Sequence, residues 1–413
     1  MLQHVPVVLW IVACSVVCVV SSAYMSSLFD KEAWFEAVVL RSVTVRKLQG
    51  GVSALFAAVL KLFFSASHDV SLAGMGVEFL DGTRAHLWMD VGPVIADEAA
   101  LNLMFSTKGA SGLKPCMLCA NVFNSKYRAE TRAVADVGRW SVEHQESDHT
   151  KLIFHTRATV DVMKTRLSAP MTKAALEALQ TNLGWNYEPH GLIWNDAMLQ
   201  HAHPADHCLY DWMHACFVSG VLNIALFLLM HALKGFGITM QNVHDYVAAW
   251  KQPRRRQHVG IAGIFEKKRV TSSFEAQTWK ATASEGLSVL GVLANFMLAF
   301  VSGGRSEEQK AHGRCFLLLV VVIELLLLSA RHRVRGAQYA HACRLFLQSF
   351  KNLYGEEWMT PKFHSTMHFA SFLDRWQTLP NCFVLERKHK LPKRWAMIVH
   401  AAAAANQDCM KYM

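Results

Sequence analysis

Acidic residues are the first scarcity. The chain of 413 residues holds 32 Asp and Glu against 42 Lys and Arg, and none of the acids falls within residues 1–29. The formal charge of +10 favours a polyanionic partner, either nucleic acid or an anionic membrane face, although a solvated surface rich in Lys and Arg carries the same excess. Cysteine patterning is sparse as well. Of ten cysteines only Cys116 and Cys119 form a C-x-x-C pair, while Cys14 and Cys18 sit in an apolar run. That spacing excludes a disulfide-dense secreted scaffold and fits a reducing compartment, with most thiols acting as small buried hydrophobes. There is no internal repeat, no clean linker and no long low-complexity tract beyond the short run Ala401 to Ala405. With 52% hydrophobic and 18% charged residues a sizeable core can form, which excludes global disorder.

Long apolar runs free of polar groups are also missing from the interior of the chain. Phe217 to Leu233 contains Asn223 and His231, Gly286 to Val301 contains Asn295, and Phe316 to Leu328 contains Glu324. A spanning helix needs about 20 apolar residues, and a central charge costs several kcal/mol, so these runs read as buried core helices. Val5 to Val20 is nearly all apolar and precedes Ser21-Ser22-Ala23, which resembles a signal peptide or anchor, but Met1-Leu2-Gln3-His4 offers no Lys or Arg. A core strand or helix, or a poorly chosen start of the coding sequence, is the plainer account of the run.

Periodicity indicates an α-rich α/β fold. Residues 31–66 read as two helices parted by Gly50-Gly51, and residues 76–90 as a β-hairpin turning at Asp81-Gly82. A further strand over Val91 to Ile95 runs into a helix from Asp97 to Phe105, and a loop over 106–125 holds the cysteine pair. Another helix falls at 171–181, and from residue 211 helices dominate, interrupted by a basic loop from Pro253 to Arg269 and a break at Gly303-Gly304.

Several groups of residues can carry chemistry. Asp211 and His214 stand three apart at the head of an apolar helix, on adjacent faces of its first turn; an N-cap explains Asp211 as simply. Cys116 and Cys119 can supply two of four tetrahedral zinc ligands, with His203, His207 and Cys208 as candidate partners, or can be two ordinary thiols in a turn. His364 and His368 lie one helical turn apart, a spacing that suits a metal, but no third ligand is near them in sequence. Glu386 leads a cationic run, Arg387, Lys388 and Lys390, which reads either as a charged helix face or as one metal-binding acid beside phosphate contacts.

Taken in order, Lys108 to Val122, Asp211-Trp-Met-His214 with Phe217 to Gly220, Ala283 to Leu287, Pro361 to His364 and Cys382 to Lys390 resemble a transposase-like family. These segments look like the transposase-derived proteins abundant in dinoflagellate genomes, similar in plan to the CACTA and Kyakuja–Dileera–Zisupton transposases, over roughly residues 30–395. The resemblance implies a DDE-type nuclease: an RNase H-like core interrupted by a large helical insertion, whose acids bind two Mg²⁺ or Mn²⁺ ions for DNA cleavage and strand transfer. It implies Asp97 as the second acid, with Asp81 and Asp90 close by, Asp211 and His214 as the D-x-x-H pair, and Glu386 as the last acid. Possible zinc ligands are Cys116, Cys119, His207 and Cys208. Arg254, Arg255, Arg256, Lys267, Lys268 and Arg269, with Arg387, Lys388 and Lys390, would contact DNA.

The organisation implied is an apolar leader at 1–29, a partial core at 30–210, a helical insertion at 211–350 and closing core helices at 351–413. The departure is at the start: the first catalytic Asp belongs on a strand upstream of Trp34-Phe35, where this chain has no acid, so the nuclease is expected to be incomplete. The partners implied are DNA and a possible second copy of the chain, in the nucleus or cytoplasm. A non-enzymatic DNA-binding relic and a protein anchored to a membrane through residues 5–20 are the alternatives.

Overall fold

A computed structural model of the chain describes residues 4–11, 16–21, 35–40, 42–78, 82, 84–124, 140–251, 260–303, 305–330 and 333–383. The architecture is α-rich with small sheets, in agreement with the sequence pattern. The main sheet is built from β1 (His4–Ile11), β2 (Val16–Ser21), β3 (Phe35–Leu40), β4 (Met75–Glu78), β5 (Arg84–Ala96) and β6 (Cys208–Tyr210). Its order is β3-β2-β1-β5, with β4 and β6 both on the far edge of β5. β1 runs antiparallel to β2 and β2 antiparallel to β3, whereas β5 runs parallel to β1 and to β6.

One alternative is selected here and one expectation changes. Of the readings open for the apolar amino-terminal run, its described residues take the strand, forming two strands inside the sheet, as its many β-branched valines favour. Residues 31–66 are not two helices, since Phe35 to Leu40 pairs with β2 and only Gly51–Phe64 is a long helix. The hairpin is present, with Gly82 at φ +80° in the turn, a backbone conformation that glycine adopts without strain. Its second strand continues without a break to Ala96, so Val91 to Ile95 is not a separate element. The register against β1 slips between Val7 and Leu9, opposite Gly92-Pro93. Proline has no N–H to give the ladder, and a bulge accommodates it.

Beyond β6 the chain is helical. The helices that position the site are α1 (Glu98–Met104), α2 (Trp212–Phe217), α3 (Val221–Gly235), α4 (Ala283–Ser302), α5 (Glu307–Leu328), α6 (Gly336–Tyr354), α7 (Pro361–Met367) and α8 (Phe369–Trp376). They share one hydrophobic core with the sheet. The polar residues inside the apolar runs have specific placements. Asn223 is buried; its amide donates to the carbonyl oxygens of Trp279 (2.8 Å) and Ala281 (3.4 Å), and its oxygen accepts from the Gly220 N–H. Asn295 is exposed and accepts from the Tyr246 hydroxyl, and Glu324 is exposed. Among the described residues three helical stretches, α2 with α3 over Trp212–Gly235, Ala283–Val301 and Glu307–Leu328, are nevertheless long and apolar enough to cross a membrane by length and composition. The runs fall short only when counted as uninterrupted apolar residues, because each helix extends past its run.

Candidate metal centre

Cys116 and Cys119 sit in the loop after α1, and His364 and His368 lie on α7 and at its carboxyl end. All four are buried, and their ligand atoms lie within 4.8 Å of one another. Cys116 Sγ is 3.2 Å from His368 Nε2, and Cys119 Sγ is 3.5 Å from His364 Nε2 and 3.6 Å from His368 Nε2. The two Nε2 atoms are 3.0 Å apart. A tetrahedral zinc ion with bonds of about 2.3 Å to sulfur and 2.0–2.1 Å to nitrogen needs ligand–ligand edges of roughly 3.3–3.8 Å. These four separations need a change of only a few tenths of an ångström and the other two lie within 4.8 Å, so the donor set could hold a metal such as zinc. Four protein ligands leave no open position, which is the arrangement of a structural site.

The electrostatics suit a cation. Burial alone would raise the Cys116 thiol, but a hydrogen bond from Cys119 and the nearby His368 and His364 carry it well below its ordinary value. Cys119 moves the other way, held up by burial and by Cys116 beside it. Burial lowers His368, keeping its imidazole neutral and able to ligate.

The sequence pairing of ligands is corrected at two positions. His207 and Cys208 are not part of the centre: His207 Nδ1 contacts the His203 carbonyl oxygen, and the Cys208 thiol donates to the Met117 sulfur. His364 and His368 take their places. Each half-site offered only two ligands in sequence, and about 245 residues separate them; the H-x-x-x-H spacing was the available signal.

Beside the centre lies a cavity of about 350 Å³, lined in part by Asp97, Glu98, Tyr210, Asp211, His214 and Lys362. Asp97 and Asp211 follow directly from the ends of β5 and β6, two adjacent parallel strands. Asp97 caps α1, accepting from the Ala100 N–H at 2.6 Å. Asp211 caps α2 and is saturated: one oxygen accepts from the N–H groups of Met213 and Cys382, the other from the N–H and the Nδ1 of His214. Asp211, His214 and Cys382 bring three donors within 4.8 Å, but those four hydrogen bonds already occupy both carboxylate oxygens. Burial raises the Glu98 carboxyl, opposed by Lys362, and burial lowers the Lys362 amine, opposed by Glu98 and Asp97. Neither Glu98 nor Lys362 is singled out by the sequence, because a lone Glu and a lone Lys carry no spacing signal. Among the described residues Asp97 and Glu98 join no such group of three donors.

Of the basic residues, Lys267 and Lys268 are exposed. Arg269 is not available to phosphate as placed: it grips Glu285 with two hydrogen bonds, at 2.7 and 2.9 Å, and donates to the Lys280 carbonyl oxygen. Asp81, Arg254, Arg255, Arg256, Glu386, Arg387, Lys388 and Lys390 lie outside the described residues. The sequence matches no protein-family model and no curated protein.

Proposed function

We propose that this chain is a nucleic-acid-binding protein of transposase type, stapled by zinc and catalytically incomplete. The observation that carries the reading is the strand order β3-β2-β1-β5-β6, with β2 antiparallel to the rest and the short β4 added as a hairpin on β5, which is the order an RNase H-like sheet requires. In such a sheet Asp97 would stand where the second acid belongs. The hydrogen bond from the Cys382 N–H to Asp211 supports the same reading, because it brings the chain back to the sheet edge four residues before Glu386. β1 carries no acid over His4–Ile11, and Trp10 pairs with Ile95, so its end lies beside the strand that leads to Asp97. His214, aimed by Asp211, would orient a water or a strand end in the cavity.

The test is anisotropy of a labelled DNA duplex, titrated with the full chain at several salt concentrations. Phosphate contacts release counterions, so affinity is expected to fall at least about tenfold between 50 and 200 mM salt. It should fall further in a Lys267→Glu/Lys268→Glu variant. Affinity that is indifferent to salt and to both substitutions would overturn the reading.

A further inference from the structure

Helix α7 serves two places at once. His364 faces the thiols, while Lys362 and Ser365 line the cavity. The opposite wall is built the same way: Asp97 and Glu98 head α1, and the chain continues from its far end through Gly109–Ser111 to Cys116. Tyr210 joins the two sites. It borders the cavity, its hydroxyl is 3.6 Å from Cys116 Sγ, and Asp211 is the next residue.

We infer that metal loading at the Cys116, Cys119, His364, His368 centre assembles the cavity, the ion being the staple between the wall that bears Asp97 and Glu98 and the wall that bears Lys362 and Ser365. Helix α7 has seven residues, too few to persist on its own, and Thr360 gives it no side-chain cap. Metal-bound imidazoles are ordinarily aimed by a hydrogen bond at their second nitrogen. Here, among the described residues, Nδ1 of both His364 and His368 is buried without a partner, and the polar contacts of the rings are to the thiols and to each other. The ion therefore aims the rings. Without it, four buried donor atoms crowd one another with no cation between them, and the water that enters to solvate them separates the walls.

This inference rests on the metal centre and not on nucleic-acid binding. The experiment is hydrogen exchange read by mass spectrometry on the full chain, zinc-loaded, stripped by chelator and reloaded, with zinc content and DNA binding measured on each sample. Stripping is expected to raise exchange in residues 361–367 and 98–104 at least about tenfold, to leave helix 307–328 unchanged, and to reverse on reloading. A Cys119→Ser variant should show the stripped pattern, and Cys216→Ser, a buried thiol outside the centre, should not. Exchange that does not change, that changes only at 116–119, or that rises equally everywhere would overturn it. The expected pattern in protein that binds no DNA would support this inference while removing the nucleic-acid reading.

Discussion

A single buried donor decides most at the residue scale. Purified chain is expected to hold about one zinc per molecule, and His368→Ala or Cys119→Ser to lose it, because a structural site needs all four ligands. Elemental analysis checks the stoichiometry, and the ligand-field bands of a cobalt-substituted sample check the tetrahedral geometry. Acid should release the metal, since protons compete for thiolate and imidazole; burial holds His368 neutral further into acid than a free imidazole. Metal content measured across falling pH gives the sign. A second outcome belongs to the same scale. The chain should not nick supercoiled plasmid with Mg²⁺ or Mn²⁺, because β1 offers no carboxylate and Asp211 is committed to four N–H donors. Nicking that vanishes in Glu386→Ala would show that the acids are complete.

Among the elements, the joint between α3 and α4 depends on Asn223. Its side chain satisfies Gly220 at one end and the carbonyl oxygens of Trp279 and Ala281 at the other. Asn223→Ala leaves the buried Gly220 N–H without this partner and the Trp279 carbonyl oxygen with the Ala281 N–H alone, which should cost about 1–3 kcal/mol by urea denaturation. Asn295→Ala, at an exposed position, should cost less than about 1 kcal/mol. An equal loss for both would mean that burial of the amide is not what matters. The Arg269 to Glu285 pair ties the start of α4 to the short helix Lys267–Glu275 that leads into it.

Over the whole molecule, buried histidines set the response to acid. Burial pushes His155 and His203 down to about 4 from an ordinary 6.5. Their folded-state values lie below the unfolded ones, so the unfolded chain binds the protons first. Stability should be level above pH 6.5 and fall as the pH drops toward 4, with a slope of up to about 1.4 kcal/mol per unit for each group. Urea midpoints at several pH values measure it, and a His155→Gln/His203→Gln double variant should flatten the slope. Metal release in the same window is separated by repeating the series after zinc is stripped.

The sequence by itself determined the α-rich character, the hairpin at Gly82, the helical stretch after residue 211 and the two half-sites, because each depends on neighbours a few positions apart. Apolar periodicity, a turn dipeptide, C-x-x-C and H-x-x-x-H are all local patterns. It did not decide that His4–Ile11 and Val16–Ser21 would pair as strands: valine-rich segments suit a strand or a buried helix, and only partners such as Ile95 and Val39 decide between them. Nor could it choose the ligands of Cys116 and Cys119. His207 and His364 are equally good donors as residues, and the tertiary fold brings only His364, with His368, to the thiols. Glu98 and Lys362 become a facing pair for the same reason: the charge and burial that shift them arise from walls distant in sequence, which meet only when the chain has folded.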